Sequence, residues 1–313
     1  MPFTLIKGTF HVRSYSPDGD SIRFEPANRQ LVEDLLGSNP RFNARNHVQL
    51  RIEAIDTLET HFNPPGGGGT LHQPADLARK ATERLMDFLG IRNVRWDQAN
   101  RIVTEADDAV PGYILARSVE RNGRPVAFIV SGNAQEADGA EVQFDAGWLQ
   151  ATYNWAAVRE GIAYPTYYKG LFNDLRDELT RVAAEARQAG LGVYASDGTQ
   201  QGFNANSIAV ITDDVPIMPK LFRRLSDYMV NQGTAVGFKE TLAQAREPVL
   251  DLVTTNFTHF DSFVEQADGS DRIRLTRLPE QLVFDETIPQ PGPVFAEHFS
   301  DEPAARVEEL AFA

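Results

Sequence analysis

The sequence of 313 residues contains no cysteine, which excludes disulfides, thiolate nucleophiles and cysteine-ligated metal centres together. No stretch approaches the roughly twenty apolar residues that a membrane span needs. Met1-Pro2-Phe3-Thr4-Leu5-Ile6-Lys7 also lacks a basic segment followed by a long apolar run. A soluble cytoplasmic protein with no membrane partner is therefore expected. Positive charge is scarce: 30 Lys and Arg stand against 44 Asp and Glu, a formal net charge of −14. Non-specific nucleic-acid affinity comes from Lys and Arg displacing counterions along phosphates, so this balance argues against a general nucleic-acid binder. The deficit is uneven, with 21 basic and 26 acidic residues in 1–200 and 9 and 18 in 201–313. The first part is only mildly acidic, and a bound cation would neutralise some of its charge.

What is present is a globular composition, 42% hydrophobic and 10% aromatic, in a chain long enough for two domains. The informative stretch runs from His47 to His61. Val48, Leu50, Ile52 and Ala54 alternate with Gln49, Arg51 and Glu53, the pattern of a half-buried strand whose end delivers Asp56, Thr57 and Glu59. Upstream, 9–12 and 21–24 alternate around Pro17-Asp18-Gly19-Asp20, which predicts a hairpin with Asp20 at its rim. Carboxylates so spaced can converge on one hard cation or one phosphate if Asp20 faces them. The same residues also suit plainer roles: Asp-Gly-Asp as a turn, Asp56 and Glu59 as a solvated strand end, Arg51 as a surface ion pair.

The rest of 1–200 alternates strand and helix signals. A short helix is expected within 26–46, and Pro64-Pro65-Gly66-Gly67-Gly68-Gly69 predicts a mobile loop, because no Gly-Lys-Ser/Thr follows to make a phosphate cradle. Pro74 opens a helix with the stripe Leu77, Ala81, Leu85 and Phe88, closed by Gly90. Strands are expected at 94–96, 113–119 and 126–130, and helices at 148–160 and 173–189. The small polar stretch 195–206 marks a boundary. Beyond it, 219–232 carries Leu221, Phe222, Leu225, Tyr228 and Met229 on one helical face, 237–246 suits a second helix, and 262–266 with 272–278 flank the turn signal Asp268-Gly269. His61, His72 and His259 are read as loop or strand-end histidines.

Asp18-Gly19-Asp20-Ser21, Leu50-Arg51 and Ile55-Asp56-Thr57-Leu58-Glu59-Thr60, in this order, resemble the signature of the staphylococcal nuclease (thermonuclease) family. The similarity continues more weakly to about residue 197, through Gly161-Ile162-Ala163, Tyr167 and Leu191-Gly192-Val193-Tyr194. The order of strand and helix signals suggests an α+β fold, a small barrel with flanking helices over 1–200 followed by a smaller α+β domain over 207–313 with a flexible acidic tail, and the resemblance implies that the barrel is an OB-fold. That second part resembles no family and is a candidate surface for a protein partner. The resemblance implies a nuclease that hydrolyses phosphodiester bonds of DNA or RNA with Ca²⁺ as cofactor. Asp20 and Asp56 would hold the metal with the Thr57 carbonyl, Glu59 would orient or deprotonate water, Arg51 would clamp phosphate, and Tyr167 would line the substrate pocket. Tyr167 also suits a packing role. Two departures stand out. Leu58 replaces a proline, and Pro111 occupies the position of a second arginine that stabilises the transition state, with Arg101, Arg117 and Lys169 as possible substitutes. A nuclease-like scaffold that binds a nucleic acid or protein without cutting is the alternative.

Overall fold

Five strands close into a barrel because each sends alternate apolar residues to a shared interior. They are β1 (Phe3–His11), β2 (Ser21–Pro26), β3 (Val48–Ile52), β4 (Val110–Val119) and β5 (Pro125–Ser131). The order is β1-β2-β3-β5-β4, and β4 pairs back onto β1. β3 and β5 run parallel and the other neighbours antiparallel. This closed five-strand arrangement is OB-like. Phe10, Phe24 and Val48 lie opposite one another in register, as do Ile22 with Leu50 and Ile6 with Ile114, and none is more than 1% exposed. Closure depends on a close approach: Gly8 pairs with Gly112, and a Cβ on Gly112 would lie 2.4 Å from the Phe10 ring and 2.6 Å from the Val130 carbonyl.

The computed structural model describes residues 2–285 and is mixed α+β. Among the described residues the chain forms two compact units, 2–53 with 82–144 and 54–81 with 145–285. The expected division near residue 200 is therefore not where the structure divides. Leu58, Phe62, Tyr164 and Val193 belong to the same buried cluster as Leu221, Phe222, Phe260 and Leu282, so the second unit joins residues from both sides of 195–206 in one core. The expected acidic tail lies outside the described residues.

The strand expected through Ala54 is also divided. β3 stops at Ile52, Ala54 takes a left-handed φ of 66°, and Ile55–Thr57 forms a separate strand antiparallel to Ala163–Pro165. Alternation alone cannot register such a break, because Ala54 keeps the apolar phase while its backbone leaves the extended conformation. The helix expected over 148–160 is two, Ala146–Leu149 and Tyr153–Arg159, because the Thr152 side chain accepts from the Trp155 N–H and caps the second. The helices Asn173–Gln188 and Pro219–Gln232 follow their expected spans. The Gly-rich segment is anchored at its base, where Phe62 and Leu71 exchange two backbone hydrogen bonds, and the Gly66 N–H donates to Asp227 at 2.6 Å.

Candidate active site

In the second unit the strand Ile55–Thr57 is buried throughout, and Asp56, opposite Tyr164, is 4% exposed. A carboxylate so far from water needs a charged partner. The partner comes from Pro219–Gln232. That helix begins with Pro219 in its first turn, ends at Gly233 in the left-handed conformation, and buries Leu221, Phe222, Leu225 and Met229. Lys220, Arg223 and Arg224, spaced three and four apart, share a second face and are at most 9% exposed.

Arg223 donates through Nη1 to Asp56 Oδ1 at 3.0 Å and through Nη2 to Asp56 Oδ2 at 2.8 Å. Its Nη1 also donates to Glu59 Oε1. One guanidinium therefore holds the two carboxylates that the sequence motif singles out, in the fork geometry that arginine favours. Glu59 is fixed through its backbone as well: its N–H donates to Gln73 Oε1 at 3.2 Å, and its carbonyl accepts from the Gln73 N–H at 2.9 Å. Gln73 is fully buried, and its Nε2 donates to the Ile217 carbonyl at 2.8 Å, which ties the motif to the residues before the helix.

The other two cations of the helix serve a separate network. Arg224 donates to both Glu247 oxygens, at 2.6 and 2.7 Å, and Lys220 lies 3.2 Å from Oε1. Burial pushes the Glu247 carboxyl up, but the charges of Arg224 and Lys220 outweigh it and hold the pKa at about 2.

Asp20 and Arg51 belong to the barrel unit. Asp18 and Ser21 form an isolated antiparallel bridge that closes the turn before β2, and the Asp20 carbonyl accepts from the Ile52 N–H at 3.0 Å. Arg51 opens the last two residues of β3, paired with Ser21 on one side and Val126 on the other. Thr57 is buried at 2% exposure, in register with Ala163. Tyr167 departs from the expectation of a pocket residue. It is fully buried, and its hydroxyl contacts the Arg176 carbonyl at 3.2 Å and Thr180 Oγ1 at 2.9 Å, so packing against its own unit accounts for the ring. Burial raises its phenol well above the ordinary value.

Pro111 lies in β4, opposite Thr9. Of the cations expected to compensate for it, Lys169 lies 3.3 Å from Asp285, and Arg117 lies over the Phe3 ring at 4.7 Å. The cation found on the acidic pair is Arg223, which sequence reasoning missed. A signal existed: three basic residues at helical spacing beside an apolar stripe mark a face that can be buried only against acids. The chain matches no known protein-family profile, and no curated protein matches it significantly.

Proposed function

We propose that the chain is a divalent-cation-dependent phosphodiesterase of the nuclease type, acting on DNA or RNA, in which Arg223 supplies the guanidinium absent at Pro111. The observation carrying this reading is that Asp56 Oδ1 and Glu59 Oε1 accept from the same nitrogen, Arg223 Nη1. Two hard oxygen donors thus converge on one positive charge, the donor chemistry that suits a cation of the Ca²⁺ class. Arg223 stands in for such an ion, and the set fits one. When bound, the ion would offset phosphate charge and make water more acidic.

The chain's own residues divide the remaining work. Glu59, with its backbone held on Gln73, orients the attacking water or takes its proton. Arg223, released from Asp56, turns its fork to the phosphate oxygens and stabilises the charge that develops there. The sequence resemblance assigns Asp20 and Thr57 to cation binding and Arg51 to phosphate. The OB-like barrel supports reading the fold as that of the nuclease family.

A second reading, a scaffold that binds a partner without cutting, is favoured by Pro111 and by the net charge of −14. The two separate in one experiment: cleavage of single- and double-stranded DNA and RNA during Ca²⁺ titration, with the wild type, Glu59→Gln and Arg223→Lys. The hydrolase reading expects Ca²⁺-dependent cutting that falls by about 10²- to 10⁴-fold in Glu59→Gln and by about 10²-fold or more in Arg223→Lys. Intact substrates throughout, with the folded wild type, would leave the scaffold.

A further inference from the structure

β1, β2 and the residue leading into β3 present a second set of ligating side chains, on the outer face of the first unit's barrel. Phe10, Phe24 and Val48 align across β1, β2 and β3 and point inward, so two-residue alternation turns His11, Glu25 and His47 outward together. His11 Nε2 lies 3.5 Å from Glu25 Oε2 and His47 Nε2 lies 3.8 Å from the same oxygen. One ligand atom from each residue falls within 4.8 Å of the others. Both histidines are nearly buried, at 7% and 6% exposure, although neither belongs to the barrel interior.

The opposite nitrogens are held as well. His11 Nδ1 is 3.1 Å from Asp108 Oδ2, and Asp108 Oδ1 also accepts from the Val12 N–H at 2.7 Å and the Arg13 N–H at 3.3 Å. Asp108 accepts from two backbone N–H groups and faces His11 Nδ1, so Nε2 is the ring nitrogen left facing Glu25. His47 Nδ1 is 3.0 Å from Tyr15 Oη, and Tyr15 Oη accepts from Asn43 Nδ2 at 2.8 Å. Asn43 Oδ1 in turn accepts from the His47 backbone N–H at 3.0 Å. A carboxylate and a phenol behind two imidazoles are the outer partners that orient histidine ligands on metals.

We propose that His11, Glu25 and His47 bind one divalent transition-metal ion of the zinc class, with Asp108 and Tyr15 as positioning residues. Two imidazoles and one carboxylate favour such an ion over Ca²⁺ or Mg²⁺, which prefer all-oxygen sets, and leave a fourth position for water. Tetrahedral bonds of about 2.0–2.1 Å place donor atoms about 3.3–3.4 Å apart, so the two nitrogen–oxygen separations need to close by only a few tenths of an ångström. Local adjustments accompany binding. The imidazoles stack at 3.9 Å with 26° between planes and must turn so that their lone pairs converge. Thr9 Oγ1, 2.8 Å from His11 Nε2, gives way. Arg23 and Arg45, over the Tyr15 ring at 5.2 and 5.7 Å, oppose a cation, while Glu25 and Asp108 favour it.

The test is calorimetric titration of the chelator-treated full chain with ZnCl₂ at neutral pH, repeated with CaCl₂, and Co²⁺ absorption as a spectroscopic check. One equivalent of Zn²⁺ is expected to bind, with visible Co²⁺ bands from a mixed nitrogen and oxygen site. Weakening of about 10- to 100-fold is expected in Asp108→Asn and at least as much in Glu25→Gln and His47→Gln. Glu25, whose side chain is 42% exposed, gives the variant least able to disturb the fold, and circular dichroism verifies that it is intact. No saturable Zn²⁺ binding by the wild type, or binding unchanged in the folded Glu25→Gln/His47→Gln double variant, overturns the proposal. The site shares no residue with the acidic pair on Arg223, so loss of nuclease activity would leave it standing.

Discussion

Arg223→Met removes the guanidinium and keeps much of the side chain's apolar stem, and its effect follows from what is left behind. Asp56 and Glu59, with side chains 6% and 13% exposed, would face each other without the cation that holds both. Breaking a buried pair by removing one partner costs about 3–5 kcal/mol, and Asp56, 4% exposed with Arg223 on both of its oxygens, places this variant in that range. Urea denaturation should therefore show a loss of about 4 kcal/mol, a large share of the stability of a typical domain. Adding Asp56→Asn removes one stranded charge, so the double variant should recover about 2 kcal/mol, a coupling readable from the four-member cycle. If the acidic pair fits a divalent cation, Ca²⁺ should stabilise Arg223→Met more than the wild type, by about 2.7 kcal/mol at a hundredfold excess over its dissociation constant. A loss below about 1 kcal/mol, with no coupling to Asp56, would refute the reasoning, because so small a value belongs to an exposed pair.

Further outcomes can be measured on the same protein. Because the folded pKa of Glu247 is depressed to about 2, its ion pairs with Arg224 and Lys220 contribute stability that is complete above the ordinary glutamate range. That contribution should disappear as the pH falls from about 4.5 to 2, and Glu247→Gln should flatten this limb of the denaturation profile. Gly112→Ala should cost about 1–3 kcal/mol through overpacking, since the new methyl meets the Phe10 ring and the Val130 carbonyl. A neutral result in thermal melts would place barrel closure elsewhere. Tyr167→Phe should lose about 1 kcal/mol with its hydroxyl's hydrogen bond and leave any catalytic rate unchanged, whereas a fall in kcat would restore the residue to a substrate pocket.

Local pattern determined much of this protein. Alternation placed β2 and the start of β3, and the apolar stripes with their caps located Asn173–Gln188 and Pro219–Gln232, because period and capping are properties of neighbouring residues. The motif also marked Asp56 and Glu59, together with Asp20, as carboxylates able to converge on one cation. The positive partner of Asp56 and Glu59 was beyond local pattern: Arg223 lies 167 residues from Asp56, and only folding brings them together. Tertiary structure likewise decided that Ala54 breaks the strand, that residues on both sides of 195–206 share one core, and that His11, Glu25 and His47 come together. Each of these depends on strand register or on burial against distant segments. A one-dimensional period cannot encode them, because the free energy that selects them comes from contacts between residues far apart in the chain.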